Sequence, residues 1–339
     1  MKTGGMGQIW GTSRTLIEGV LAMKRRLGGV LRLTRFQEYI CFVIITTLLG
    51  AAVARGPFGW RLIIVLVANW LAVGFAFMIN DVEDAPDDAL NPAKVERNPV
   101  SAGDLSVHSG RAASLIGAVV AAALYAWLGL WPFVIGVTCL TIGYLYSWRR
   151  IRLKSIPVAD LVSHALMLAG LQFLAAYFTF GRGPAWQWVF PLTFVVAISL
   201  YGQLFNELRD FEGDLKAGVT HTASLLGPRA AHFLMMTLFC IGVVSATTTV
   251  FVVRLIPMWV LLGMVALAAV FVLRPMLKVR RTQSAIELQQ PFQKPLEVAG
   301  AVALATGFAG PWALSVLYWE IMPTAQRWVI VIAQWGRGR

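Results

Sequence analysis

Along most of this chain apolar residues run together in stretches of membrane length, with few polar interruptions. Nine such stretches occur, approximately at residues 37–54, 61–80, 110–130, 132–147, 158–180, 187–206, 230–253, 256–277 and 296–318. Each is close to the roughly 20 residues that a helix needs to cross a bilayer. Ahead of them, TSRTLIEGVLAMKRRLGGVLRLTR (12–35) sets Leu16, Val20, Met23, Leu27 and Leu31 at roughly helical spacing among basic residues. That pattern predicts an amphipathic helix lying on the membrane surface. The closing AQRWVIVIAQWGRGR is apolar but short and reads as an interfacial segment. The expected division is a basic amphipathic segment (1–36), an all-α polytopic membrane domain of nine transmembrane helices (37–318) and an interfacial tail (319–339).

Composition strengthens this reading. Of 339 residues, 58% are hydrophobic and 14% charged, against about 25% charged in soluble domains. The net charge of +12 is read as loop topology and attraction to anionic headgroups, and nucleic acid is not expected as a partner. Cys41, Cys139 and Cys240 fall inside apolar runs without metal-ligand spacing and read as small core residues. The first 35 residues contain no apolar core followed by a small-residue cleavage site, so no cleaved signal peptide is expected.

Basic residues then set the orientation. With a cytoplasmic N-terminus, 22 of the 29 Lys and Arg fall in the N-terminal arm and the loops near 81–111, 148–157, 207–229 and 274–295. All of these are then cytoplasmic. The expected location is the cytoplasmic membrane of a prokaryote, as a multi-pass protein.

Two polar clusters break the apolar pattern. NDVEDAPDD (80–88) places five acids in nine residues directly after an apolar span, and NELRDFEGD (206–214) closes another. Asn80, Asp84 and Asp88 are spaced four apart, as are Asn206, Asp210 and Asp214, 126 residues later. Residues four apart share a helix face, so each cluster offers one amide oxygen and two carboxylates at a helix end. Pro86 follows Ala85, and proline disfavours helix at the residue before it, so the first stripe is expected to bend after Asp84. Packed carboxylates need a counter-ion. Mg²⁺ takes oxygen ligands, commonly one or two carboxylates plus substrate phosphates, and two facing stripes could hold Mg²⁺ ions bridged by a diphosphate. Beside an apolar interior, that diphosphate points to an isoprenoid one.

These residues resemble the UbiA superfamily of intramembrane prenyltransferases. NDVEDAPDD matches its NDxxDxxxD motif and RDFEGD its DxxxD motif. NPAKVERNPVSAG (91–103), YSWRRIRLKSIPVAD (146–160) and DLKAGVTHTASLLG (214–227) are similar to three further family segments. The resemblance implies nine helices around a central cavity, with cytoplasmic cap loops carrying the two Asp-rich motifs. It also implies Mg²⁺-dependent ionisation of a prenyl diphosphate and capture of the carbocation by a lipophilic acceptor of the quinone-precursor, lipid or carotenoid class. By position, the implied metal ligands are Asn80, Asp81, Asp84, Asp88, Asp210 and Asp214, with Asp84, Asp88, Asp210 and Asp214 the catalytic acids. Asn80, Arg97, Tyr146, Arg152, Lys154, Asn206 and Lys216 are the implied substrate-binding residues. One departure stands out: Asn98 separates Arg97 from Pro99, where the family often reads Arg-Pro, and the acceptor class stays open.

A carbocation suits aromatic faces, and Phe75, Phe77, Tyr144, Tyr146, Phe173, Tyr177, Tyr201 and Phe205 are candidates, although bilayer-facing or interfacial packing is the commoner role. His164, inside the fifth apolar span, reads as a neutral buried histidine with a partner. His221 sits in the loop after the second cluster. No Ser-His-Asp set, Walker loop or Cys/His metal array occurs. Two neighbouring chemistries need the same acids: a lycopene-elongase-like transferase and a terpene cyclase of the same fold. A secondary transporter with internal repeats would carry its ions near the bilayer midplane, whereas these acids lie at span ends.

Overall fold

The computed structural model describes residues 23–24, 26–181, 183, 186–216, 218–251, 262–263, 266 and 297–309. Among these residues no β-strand forms, and the chain folds entirely into helices. We label them α1 Arg26–Glu38, α2 Ile40–Val53, α3 Trp60–Asp88, α4 Pro92–Arg97, α5 Val107–Leu128, α6 Leu130–Ser147, α7 Ala159–Phe180, α8 Val189–Lys216, α9 Thr222–Leu226, α10 Pro228–Phe251 and α11 Glu297–Ala309.

Five of these, α3, α5, α6, α7 and α10, and the Trp186–Leu215 stretch built on α8, are long and apolar enough to cross a membrane, six among the described residues. The protein is therefore a multi-pass membrane protein. α1 and α2 pass the same test only as a pair bent by 57°; Leu27 and Leu31 of α1, and Met23 just before it, are exposed while Leu33 is buried. The expected eighth span lies almost wholly outside the described residues, and of the expected ninth only α11, a shorter apolar helix, falls within them.

α3 and α7 are the inner helices, and α5, α6 and α10 present much of their apolar surface outward. α8 packs chiefly on α10, α3 on α5 and α6, and α2 on α7. Because lipid is as apolar as leucine, such helices are held by close packing and internal hydrogen bonds. A Cβ on Gly50 would lie 2.3 Å from the Phe173 carbonyl oxygen, so α2 and α7 touch at a distance only glycine permits. Deeper in the bundle, Asn69 donates to Thr47 Oγ1 (2.8 Å) and to the Gln172 carbonyl (3.2 Å), and accepts from the Tyr125 hydroxyl (2.6 Å). That fully buried set joins α2, α3, α5 and α7. At the far end, Arg61 donates to the Leu128 and Thr179 carbonyls (2.8 and 3.0 Å), satisfying the last turns of two helices.

α7 carries a π-turn at Leu166–Gly170. The Met167 carbonyl there accepts from the Cys139 thiol and from Gln172 Nε2 (3.2 and 2.9 Å).

Candidate active site

The first acidic cluster occupies the end of α3, which continues as α-helix through Pro86 to Asp88. The expected bend after Asp84 does not occur. A proline so near a helix end removes a single backbone donor, and loop side chains take up carbonyls around it. Asn98 donates to the Asp81 carbonyl (2.8 Å), Arg149 Nε to that of Glu83 (2.9 Å) and Ser101 to that of Ala85 (2.9 Å).

Helix geometry then sorts the acids. Four residues advance about 400°, so a four-residue stripe drifts by about 40° per step. Asn80 and Asp84 face a cavity of about 380 Å³. Asp88 is turned aside, buried, and accepts from Asn98 Nδ2 (2.9 Å). Asp81 is also outside the lining, fully buried, with Oδ1 3.2 Å from Arg35 Nη1.

The second cluster ends α8 in the same way. Asn206 lines the same cavity as Asn80 and Asp84, so the two motifs share one end of the bundle. Asp210 is exposed and pairs with its neighbour Arg209 (2.9 Å). Asp214 lies 3.5 Å from His221 Nε2. His221 Nδ1 accepts from the Ser224 amide (3.1 Å), which leaves the ring proton on Nε2, facing Asp214. Behind it, buried Glu207 accepts from Gln203 Nε2 and from the Ala223 amide (both 3.0 Å).

Cations come from the loop after α6. Lys154 Nζ donates to Asn80 Oδ1 (2.9 Å) and to Asp84 Oδ2, and Arg152 Nη2 contacts Asp84 Oδ1 (3.2 Å) and Asp87 Oδ2 (3.0 Å). Burial holds the Lys154 pKa below its ordinary value, and the Asp84 carboxylate opposes this only in part. Arg152 holds its contacts from a left-handed backbone conformation (φ 48°), which costs a non-glycine residue of order 1–3 kcal/mol unless its surroundings fix it. Here the loop is pinned to the segment after α8. Thr222 Oγ1 accepts from the Val158 amide (2.7 Å) and donates to Asp160 Oδ1 (2.5 Å), the Thr222 amide donates to Asp160 Oδ2 (2.6 Å), and Thr220 donates to the Ser155 carbonyl (3.0 Å).

Of the other expected substrate residues, Tyr146 lines the cavity and accepts from Gln203 (3.3 Å). Arg97 is exposed on α4 and outside the lining. Lys216 falls in the last turn of α8, its side chain outside the described residues. Phe77 is in the lining, as are Tyr39 and Phe42. Phe75, Phe173, Tyr177 and Phe205 are core residues, while Tyr144 stacks on Trp148 and Tyr201 packs on Phe239.

Arg35, Glu38, Ser199, Gln203 and Glu297 also line the cavity, and motif reading overlooked them; His164, read from the sequence as a neutral buried histidine with a partner, lines it too. A signal existed for two: Ser199, Gln203 and Asn206 stand at i, i+4 and i+7 on one face of α8.

The donor chemistry fits an oxygen-seeking divalent cation. Among the described residues no three His, Cys, Asp or Glu side chains converge as a metal cage. Mg²⁺ rarely uses an all-protein cage, relying on one or two carboxylates together with substrate phosphates and water. Asn80 Oδ1 and Asp84 Oδ2 already converge on a cation, the Lys154 ammonium.

Comparison with known proteins places this geometry in a family. The UbiA prenyltransferase family profile matches residues 43–290. The probable chloroplastic homogentisate phytyltransferase 2 of Oryza sativa subsp. japonica is 30% identical over 196 residues, 55% of this chain and 50% of that protein. A lycopene elongase/hydratase of Haloarcula japonica is 31% identical over 216 residues, 61% of this chain and 70% of that protein. The chain spans about half the length of the plant relatives it matches. A solved structure of a UbiA homologue from Archaeoglobus fulgidus, bound to GPP and Mg²⁺, matches with a TM-score of 0.63 at 21% identity, covering 83% of this chain and 98% of that one. That likeness concerns the fold. With the profile match extending over most of its length, the chain belongs to the UbiA prenyltransferase family.

Proposed function

We propose that this protein transfers a prenyl group from a prenyl diphosphate to a lipophilic acceptor inside the membrane. One observation carries the reading: Asn80 and Asp84 of the first motif, Asn206 of the second and the Lys154 ammonium line one cavity whose remaining wall includes Phe42, Phe77, Met167, Leu168 and Ile198. Such a chamber suits a ligand with an anionic head and a hydrocarbon tail. The family match and the GPP-bound homologue support the same substrate class.

In this reading the allylic carbon–oxygen bond breaks, the diphosphate leaves with the electron pair, and a pair from the acceptor forms the new bond to that carbon as a proton departs from the acceptor. Lys154 and Arg152 act where negative charge develops, and preorganised charges at that place lower the barrier. Mg²⁺, when bound, adds neutralisation of the leaving group, and Asn80, Asp84, Asn206, Asp210 and Asp214 would hold it. Phe77, Tyr39 and Phe42 present aromatic faces suited to a developing cation and help exclude water. The finer architecture belongs to the same proposal: nine spans within 37–318, flanking segments 1–36 and 319–339, and both motifs on the cytoplasmic side. The similarity to a lycopene elongase/hydratase supports a carotenoid acceptor as the second reading.

The test is diphosphate release by the purified protein from geranylgeranyl diphosphate, with an acceptor panel and Mg²⁺. Release is expected to stop on chelation with EDTA and to fall at least a hundredfold in Asp84→Ala. Release that survives either change refutes the reading.

A further inference from the structure

The cavity has a second polar place that the diphosphate chemistry does not use. On α7, His164 lies in the lining, and its Nδ1 is 3.2 Å from the Ser199 hydroxyl of α8. Ser199 is seven residues before Asn206 on the same helix, about 10 Å along the axis at 1.5 Å per residue. The pair therefore lies two helical turns deeper than the second-motif asparagine. Around it are Met167, Leu168 and Ile198. Two of these belong to the π-turn at Leu166–Gly170, a helix distortion found frequently at functional sites.

A polar pair at this depth is costly unless something uses it. Imidazole has two ring nitrogens, each a donor or an acceptor. Ser199 engages one, and among the described residues the other, Nε2, has no hydrogen-bond partner. A prenyl tail offers no hydrogen bond. Its diphosphate is served at the mouth by Lys154 and Arg152, which already face Asp84. The remaining ligand in the reaction is the acceptor.

Resting on the transferase reading above, we propose that His164 and Ser199 form an acceptor subsite that binds a hydroxyl group, so that the acceptor is a phenol or quinol rather than a hydrocarbon. Tyr146 links this subsite to the mouth. Its ring centroid is 6.4 Å from that of His164, and its hydroxyl accepts from Gln203. An aromatic ring held at His164 by one hydroxyl would extend toward the mouth, where the allylic carbon is released.

The test uses the purified full chain in lipid nanodiscs with geranylgeranyl diphosphate and Mg²⁺. The acceptors are homogentisate and a 2-acylphloroglucinol, each beside its fully O-methylated ether, and lycopene. Binding of the non-reacting geranylgeranyl thiolodiphosphate is measured in parallel. The free phenols are expected to be prenylated at least tenfold faster than the ethers or lycopene. Ser199→Ala and His164→Leu are expected to lose at least tenfold in kcat/KM for the phenols, with thiolodiphosphate affinity within twofold of the parent, and Ser199→Thr to retain most activity. Should His164→Leu fail to fold, as judged by gel filtration, Ser199→Ala decides alone. Equal rates for phenol and ether, a preference for lycopene, no transfer to either phenol, or phenol kinetics unchanged in Ser199→Ala would overturn this subsite while leaving diphosphate binding intact. Loss of Mg²⁺-dependent thiolodiphosphate binding in the unsubstituted chain would instead overturn the transferase reading, and this inference with it.

Discussion

Lys154 Nζ lies 2.9 Å from the amide oxygen of Asn80 and also donates to Asp84, so a single ammonium closes the i, i+4 pair at the heart of the first motif. Charge-assisted hydrogen bonds of this kind are worth about 1.5–3 kcal/mol. Lys154→Met is therefore expected to weaken prenyl-diphosphate binding roughly tenfold to a hundredfold. Equilibrium binding of the thiolodiphosphate analogue measures this, and unchanged affinity would remove Lys154 from the diphosphate grip.

Fully buried Asp81 pairs with part-buried Arg35 at 3.2 Å, and among the described residues the second Asp81 oxygen has no partner. Removing one member of a buried ion pair costs about 3–5 kcal/mol, whereas an apolar replacement of both is often tolerated. Arg35→Met alone should lower the melting temperature in detergent markedly, and Arg35→Met/Asp81→Leu should recover much of the loss. If the two single effects simply add, the pair is not coupled.

Thr222 ties the cationic loop to the segment after α8. Thr222→Val leaves the Val158 amide without the contact that now satisfies it and takes from Asp160 Oδ1 one of its two donors, the Leu161 amide remaining. An unsatisfied buried group costs about 1–3 kcal/mol, so both stability and prenyl-diphosphate affinity should fall, because Arg152 and Lys154 lose their anchorage. Thermal unfolding with parallel analogue binding checks this. A drop in stability with unaltered affinity would mean that the loop positions itself.

Gly50 faces the Phe173 backbone. A carbonyl oxygen in a packed helix cannot step aside as a flexible side chain can, so Gly50→Ala should destabilise by about 1–3 kcal/mol through overpacking. A thermal melt within experimental error of the parent would contradict the close α2–α7 approach.

Much of the site was legible as spacing. The four-residue repeat of Asn80, Asp84 and Asp88 identified the helix end, and its recurrence at Asn206, Asp210 and Asp214 identified the partner element. The repeat did not reveal which members face the cavity. Drift around the helix turns Asp88 toward Asn98 and leaves Asn80 and Asp84 inward. Pro86 suggested a bend because local preference was weighed without the Asn98, Arg149 and Ser101 side chains that occupy carbonyls there. Arg35 was counted only as a positive charge in the N-terminal arm, since nothing local signals that it will meet Asp81, 46 residues on. His164 and Ser199 are 35 positions apart, and their pairing exists only because α7 and α8 lie side by side.

The sequence by itself determined that this is a membrane-embedded helical protein, which of its ends are acidic and which loops are basic. Those properties depend on the length and period of apolar runs, and transfer into lipid reads them locally. Tertiary structure alone decided which acids share a cavity, which cations neutralise them and where a polar pair survives at depth. Those are relations between distant segments, set by helix rotation and packing, and no local preference encodes the angle at which one helix faces another.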